Sequence, residues 1–342
     1  MMKFVIFLVA TLAVVGYGLY LLFPAAFKTS GQPGGRKRWA YLFGTVLALE
    51  ALSFVVAPIV KWWLPKSVSS FSGSVDALFY IILAITGVTF IGVSIVFTYA
   101  LFKFGRDEGR RSIYTHGNHK LEMVWSAIPG VLLILLGVGQ IPAWLEIKNM
   151  TWLKYQLDPG AQQERFLQIE VAARQWEWRV RYASTGHMGE WKDHAEALRD
   201  VRSKMSPRPD DIRLANEIHC VKNQKVMIHL KTQDVIHSLF LPQLRLKQDA
   251  LPGKTIPVWF QATEANCRFQ NGEWHDGLRK DEAKGVWVKD HDYIWEIACA
   301  EFCGSRHSLM RGKLFVHETQ EDFDHWLKAA ETASRQSTPD GK

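Results

Sequence analysis

Apolar positions follow two different rhythms along this chain. In the first 150 residues they run almost unbroken through four stretches, 4–23, 40–60, 77–102 and 123–145, and only the second contains a charge, Glu50. A run of about 20 residues crosses a hydrocarbon core of about 30 Å at 1.5 Å per helical residue, so each stretch predicts a membrane-crossing helix. After residue 145 the rhythm becomes alternation. Residues 166–182, FLQIEVAARQWEWRVRY, alternate apolar with polar side chains and end in aromatics, which predicts a strand. Segments 224–230, 256–262, 293–298 and 313–317 read the same way, with Pro, Gly and Asn between them. Many short strands predict a sandwich or barrel. The charged, turn-rich stretch 184–212 contains a helical piece near 191–203, residues 318–333 have the spacing of a closing helix, and the tail 334–342 is polar.

Composition sharpens this division. The mean hydropathy of −0.07 averages two unlike parts. Residues 1–150 hold 13 Lys and Arg against 6 Asp and Glu, whereas the remaining residues hold 28 of each. The net charge of +7 therefore belongs to the membrane part, and the pI near 9.1 is no argument for nucleic acid. Nine of those 13 basic residues flank two loops: Lys28, Arg36, Lys37 and Arg38, and then Lys103, Arg106, Arg110, Arg111 and Lys120. Positive charge marks cytoplasmic loops. Four spans then leave both termini, and the strand-rich part, on the opposite side. The first stretch also has the outline of a secretory signal, Met1-Met2-Lys3 before an apolar run. Its length and the lack of a small-x-small cleavage site favour a retained span.

The chemistry lies in residues 299–310, CAEFCGSRHSLM, where two thiols, an imidazole and a thioether fall within twelve residues. This soft set selects copper, zinc or an iron–sulfur cluster over magnesium or calcium. A structural zinc site would use CxxC pairs, which are absent from the sequence, and a blue-copper site has no use for a second thiolate. Two Cys four apart on one loop can bridge two metals, with His307 and Met310 capping them and a further imidazole supplied from elsewhere. His237, in DVIHSLFLP at 234–242, is the nominee. Cys220 and Cys267 match no ligand position. Cys220 reads as core, and a disulfide between the two is left open by the sequence.

The two segments DVIHSLFLPQLRLKQDALPG and CAEFCGSRHSLM together closely resemble subunit II of cytochrome c oxidase, a heme–copper oxidase subunit. The resemblance runs from about residue 75 to about residue 328, broken by one insertion. It implies a dinuclear copper A centre, with Cys299 and Cys303 bridging, His237 and His307 terminal, and Met310 and the main-chain carbonyl of Glu301 completing the set. It implies an α+β membrane protein, N-terminal transmembrane helices followed by a cupredoxin-like Greek-key β-barrel. On this reading 1–62 is an extra N-terminal transmembrane hairpin, 75–148 the subunit's two-helix hairpin and 150–333 the copper domain, with an insertion at about 265–292.

Further roles follow from the same resemblance. The Glu301 side chain would face subunit I and help hold a magnesium or manganese ion. Arg174-Gln-Trp176-Glu-Trp178 matches the family's aromatic patch HQWxW, with Arg for His, which makes Trp176 the point where electrons enter from cytochrome c. Glu122, in LEMVWSAIP at 121–129, matches the family's LExxW and would stand at the mouth of a proton channel into subunit I. The implied function is that of the subunit that accepts electrons from cytochrome c and passes them to heme in subunit I, for reduction of oxygen to water in a proton-translocating oxidase. A copper A subunit of a nitric oxide reductase is the alternative. Nitrous oxide reductase is disfavoured because no propeller is fused, and a quinol-type subunit because such subunits lose the copper ligands. No CxxCH occurs, so the chain carries no heme c and cytochrome c must be a separate partner. The expected location is the bacterial inner membrane with the copper domain outside, among other oxidase subunits. Residues 1–62 would meet a larger respiratory assembly, and the insertion reads equally as a solvated ornament or a docking loop.

Overall fold

The structure is a computed structural model, and it describes residues 35–59, 63–104, 113–114, 116–150, 167–183, 209–270, 273–281 and 283–337. The first predicted span, the helical piece near 191–203 and the tail from 338 lie outside these residues. The described chain forms two compact units, one ending at Leu64 and resuming over Leu78–Leu135, the other comprising Pro65–Ala77 and the chain from Leu136.

The first unit is helical. Helix α1 covers Gly35–Ile59, α2 covers Ser72–Phe104 and α3 covers His119–Gly139. Two apolar helical stretches, Ser72–Phe104 and His119–Lys148, are long enough to cross a membrane, and no side chain in their most apolar windows is buried. Unburied Val, Ile and Leu along a whole helix need lipid rather than water as solvent. The hydroxyls of Thr86, Thr89 and Thr98 donate to the carbonyls of Ile82, Ile85 and Ser94 at 2.8–2.9 Å, so none is left unsatisfied in hydrocarbon. Asn118 caps α3 by accepting from Leu121 N–H at 3.2 Å. Phe43 of α1 meets Phe97 of α2 at 4.9 Å between ring centroids, and Gly44 lies opposite the Thr98 methyl.

The second unit is a β domain of two main sheets and a separate two-stranded ribbon. Its strands are β1 (Leu167–Arg174), β2 (Glu177–Tyr182), β3 (Ile212–Ala215), β4 (Glu217–Val221), β5 (Lys225–Thr232), β6 (His237–Leu241) and β7 (Leu246–Ala250). They continue with β8 (Ile256–Gln261), β9 (Cys267–Gln270), β10 (Glu273–Asp276), β11 (Leu278–Asp281), β12 (Val286–Lys289), β13 (Trp295–Cys299) and β14 (Arg311–His317). One sheet has the order β3-β2-β1-β5-β8, the other β10-β9-β14-β13-β6-β7 with β4 also on β14, and β11–β12 is the ribbon. The β1–β5 and β4–β14 pairs are parallel, so crossover connections rather than tight hairpins link those strands. The sheets face each other without closing into one ring, so the expected barrel is an open, cupredoxin-like version. Alternation does the work: Ile169, Val171, Trp178, Val180, Ile228 and Leu230 point inward and are at most 1 % exposed. Val68 and Phe71, just before α2, join the same core. Helix α4 (Ile141–Leu145) and a π-helical turn at Glu146–Met150 lead towards the domain, and α5 (Gln320–Ser337) closes it.

One sequence expectation changes here, and one segment gains structure. The single strand expected over 166–182 is a hairpin, broken by a tight turn at Gln175–Trp176. The insertion at 265–292, read from sequence as a solvated ornament or a docking loop, folds into the hairpins β9–β10 and β11–β12. Its root is Asn266, 1 % exposed, whose side chain donates to the carbonyls of Tyr293 (3.1 Å) and Leu314 (2.8 Å) and accepts from Val316 N–H (2.7 Å). This one side chain satisfies the backbone groups of β14 where β13 leaves its edge and β9 takes over.

Candidate metal centre

The candidate ligands gather at one end of the domain, from the start of β6 and the loop between β13 and β14. Among the described residues one group of His, Cys and acidic side chains converges as a metal site would, His237, Cys299 and Cys303, with ligand atoms within 4.8 Å of one another. The Sγ atoms of Cys299 and Cys303 are 3.8 Å apart. His237 Nδ1 lies 3.9 Å from Cys299 Sγ, and His307 Nδ1 lies 3.5 Å from Cys303 Sγ. Met310 Sδ is 3.9 Å from Cys303 Sγ, and the Glu301 carbonyl oxygen is 3.2 Å from Cys299 Sγ. All six sequence-predicted positions therefore converge. The Glu301 side chain is exposed, while Cys303, Met310 and His237 are buried.

The loop is stitched in place. Ala300 N–H donates to Ser238 O at 3.0 Å and Cys299 N–H to Met310 O at 3.2 Å. Gln175 Nε2 and Trp176 Nε1 both donate to the Cys303 carbonyl, at 2.8 and 3.1 Å. The turn holding them sits so close that a Cβ on Gly304 would meet Gln175 Nε2 at 3.0 Å and Trp176 Cζ2 at 3.2 Å. Gly304 also has φ +115°, so glycine is required there for both conformation and space.

His237 is oriented from behind. Its Nε2 meets Asp234 Oδ1 at 2.8 Å, which aims Nδ1 at Cys299. Asp234 also accepts from the backbone N–H groups of Gln175 and Val235, each at 2.7 Å. Burial raises the Asp234 carboxyl, but the Gln175 N–H, the His237 ring and the Val235 N–H together hold it below the usual carboxylate range. Ser238 Oγ donates to Asp249 Oδ1 at 2.7 Å, tying the HS of one motif to the DA of the other across the β6–β7 pair. Sequence reasoning gave no role to Asp234, Gln175 or Asp249. The available signal was an Asp three residues before the ligand His.

The donor set fits a soft metal pair. Burial, with the nearby Cys299 thiol, pushes the Cys303 thiol up to about 12. Two adjacent thiolates are thus strongly disfavoured in the bare chain, and bound cations would reverse that balance. Trp176 is half-buried, with its indole N–H on the ligand loop. Glu122 lies in the other unit, in the first turn of α3, 3.9 Å from His119 Nδ1.

A second His and Cys cluster lies under α5. His219 is sandwiched between Trp326 and Phe315, at centroid distances of 4.0 and 4.4 Å, and its Nδ1 is 3.1 Å from His317 Nε2. Trp274 of the insertion stands edge-on to His317 at 4.7 Å. Cys267 pairs with His317 in the β9–β14 register, and Cys220 lies in the core. Both cysteines are free thiols, pushed up by burial, so the disulfide left open by the sequence is not formed.

Comparison with known proteins adds to this geometry. The family models for the transmembrane and periplasmic domains of cytochrome c oxidase subunit II match residues 58–142 and 167–273, together more than half of the 342 residues. The second match ends inside the insertion, so the ligand loop rests on its own residues. The alternative cytochrome c oxidase subunit 2 of Bradyrhizobium diazoefficiens is 26 % identical over 301 residues, covering 84 % of this chain and 91 % of that protein. Cytochrome c oxidase subunit 2 of Thermostichus vulcanus is 25 % identical over 300 residues, covering 80 % and 82 %. A crystal structure of the periplasmic domain of subunit II from Bradyrhizobium japonicum aligns at TM-score 0.32 and 19 % identity, covering 49 % of this chain and 94 % of that one. With two domain matches in the family's order and relatives matched over most of their length, the chain belongs to the cytochrome c oxidase subunit II family.

Proposed function

We propose that this chain holds a dinuclear copper A centre between Cys299 and Cys303, with His237, His307, Met310 and the Glu301 carbonyl as the other ligands. The observation that carries the reading is the 3.8 Å approach of the two thiols with an imidazole beside each. When bound, the copper pair supplies a site that takes up and releases one electron. The chain's own residues shape that site. Asp234 sets the tautomer and aim of His237, Gln175 and Trp176 fix the Cys303 carbonyl, and buried Met310 and Trp178 keep water from one side. All donors come from the chain, which leaves no position for a substrate and suits electron relay rather than hydrolysis.

The protein is a subunit of an oxidoreductase complex, and its relatives are oxidases, which favours oxygen over nitric oxide as terminal acceptor. Trp176 is the point where electrons enter from a separate cytochrome c or cytochrome c-like donor, supported by its hydrogen bond to the ligand loop. The exposed Glu301 side chain faces subunit I and shares a magnesium or manganese ion with it. Glu122 serves the mouth of a proton channel into subunit I. The chain is multi-pass in a bacterial inner membrane with the copper domain on the periplasmic side. The partition into 1–62, 75–148 and 150–333 assigns the first segment to contacts with a larger assembly rather than to the centre.

The test is copper stoichiometry and the electron paramagnetic resonance spectrum of the purified complex. Two coppers sharing one unpaired electron are expected, and Cys299→Ser should abolish that signal. A Cys299→Ser protein that keeps it would overturn the assignment.

A further inference from the structure

The side chains around Trp176 carry a charge pattern that the copper centre does not explain. Trp176 sits in the β1–β2 turn, flanked by the directly paired residues Arg174 and Glu177. Arg174 Nε and Arg179 Nε both donate to the same oxygen, Glu177 Oε1, each at 2.6 Å. One carboxylate between two guanidiniums leaves a surplus positive charge beside the indole. On the ligand loop, Arg306 lies three residues after Cys303, whose carbonyl holds the Trp176 ring. Arg306 is exposed and has no ion partner among the described residues. Arg213 is exposed further along the same sheet, opposite Arg181, whose own charge is met by Asp211 at 2.6 Å and Glu170 at 2.8 Å.

The nearby acids do not offset this. Asp234 spends its carboxylate on two backbone N–H groups and on His237. Glu296 is paired with Arg311 at 3.2 Å. Glu301 is the remaining exposed acid of the loop, and its proposed place is against subunit I. Phe302 and Leu309 stand 77 % and 67 % exposed on the same loop. Exposed apolar side chains beside a predominantly basic rim are the form of a transient docking surface, in which the rim steers and the apolar groups hold.

We propose that the electron donor of this subunit is an acidic protein, with Asp and Glu around the exposed edge of its redox cofactor, and that Arg174, Arg179 and Arg306 select it. The selection acts on encounter and affinity, so it weakens as salt screens the charges. The inference rests on Trp176 as the point where electrons enter.

The experiment uses the intact oxidase and two small c-type cytochromes, one strongly acidic and one strongly basic. Binding constants and reduction rates are measured from low to high ionic strength. The acidic cytochrome should bind more tightly and react faster at low salt, with the advantage fading above physiological ionic strength. Arg306→Glu combined with Arg179→Glu should lower kcat/KM for the acidic cytochrome about tenfold at low salt and raise it for the basic one, with copper content unchanged. A wild-type oxidase that prefers the basic cytochrome, or a charge-reversed one whose binding constants for both are unaltered, overturns the proposal. Trp176→Phe separates the two readings. If it slows both donors while charge reversal does nothing, only the acidic donor is refuted. If it slows neither, Trp176 itself is not the route and the selection argued from it falls too.

Discussion

The β domain contains two clusters built from the same residue types, with opposite consequences. At the β13–β14 loop, the Cys and His side chains aim their donor atoms at a common space, and His237 is turned by Asp234 so that its free nitrogen joins them. Under α5, His219 and His317 spend a nitrogen each on the other, at 3.1 Å, and their ring faces on Trp326, Phe315 and Trp274. Cys267 lies beside them on β9, yet the three do not converge as a ligand group. Residue type therefore does not make a ligand. What decides is whether an outer partner holds the lone pair towards an open space or a neighbour consumes it.

The strongest break of this comparison is Cys303→Ser, which should lose the copper centre altogether, seen as absent copper in the purified complex, while the β domain stays folded. Next comes Asp234→Asn. Without a carboxylate behind His237, copper affinity should fall about 10- to 100-fold, measured by competition with a chelator, and unchanged affinity would deny Asp234 its orienting role.

The closed cluster should announce itself in acid rather than in metal binding. Burial lowers the His219 ring, against the opposing pull of Glu217, and burial with the neighbouring His219 lowers His317 to about 2. Above pH of about 6.5 both rings are neutral folded or unfolded and contribute no pH dependence. Below it the unfolded chain takes up protons that the native cluster refuses, so stability is lost as pH falls. Each ring contributes up to about 1.4 kcal/mol per pH unit. The thermal midpoint of the domain should drop steadily from pH 7 to pH 5, and His317→Phe should flatten the decline. A midpoint indifferent to pH over that range would contradict the cluster's burial. The smallest effect belongs to Cys267→Ala, expected to cost about 1 kcal/mol and to leave copper content untouched, which differential scanning calorimetry and metal analysis can check together.

The sequence exposed the ligand set because metal donors must be particular residue types at particular spacings, and 299–310 contains four of them in one short loop. The membrane helices were legible for a similar reason, since uninterrupted apolarity has few other uses. What stayed hidden depends on three-dimensional neighbours. The break at Gln175–Trp176 interrupts a segment whose alternation reads straight through, because the turn is stabilised by Asp234 and the Cys303 carbonyl, both distant in sequence. The insertion showed no strands in sequence, because its polar, Gly-rich composition gives no hint that Asn266 would anchor it to β14. His219 and His317 are 98 positions apart, and nothing in either local pattern announces the other.

The hydrogen bonds from Gln175 and Trp176 to the Cys303 carbonyl join positions 128 and 127 residues apart. Contacts of such separation form only after long loops have closed, so they belong to the late part of folding. Before then the ligand loop exists only as a short flexible segment, without His237 or the turn that braces it. His237 and the bracing turn are both far from the ligand loop in sequence, so the six candidate ligands share one space only where the two sheets have already paired.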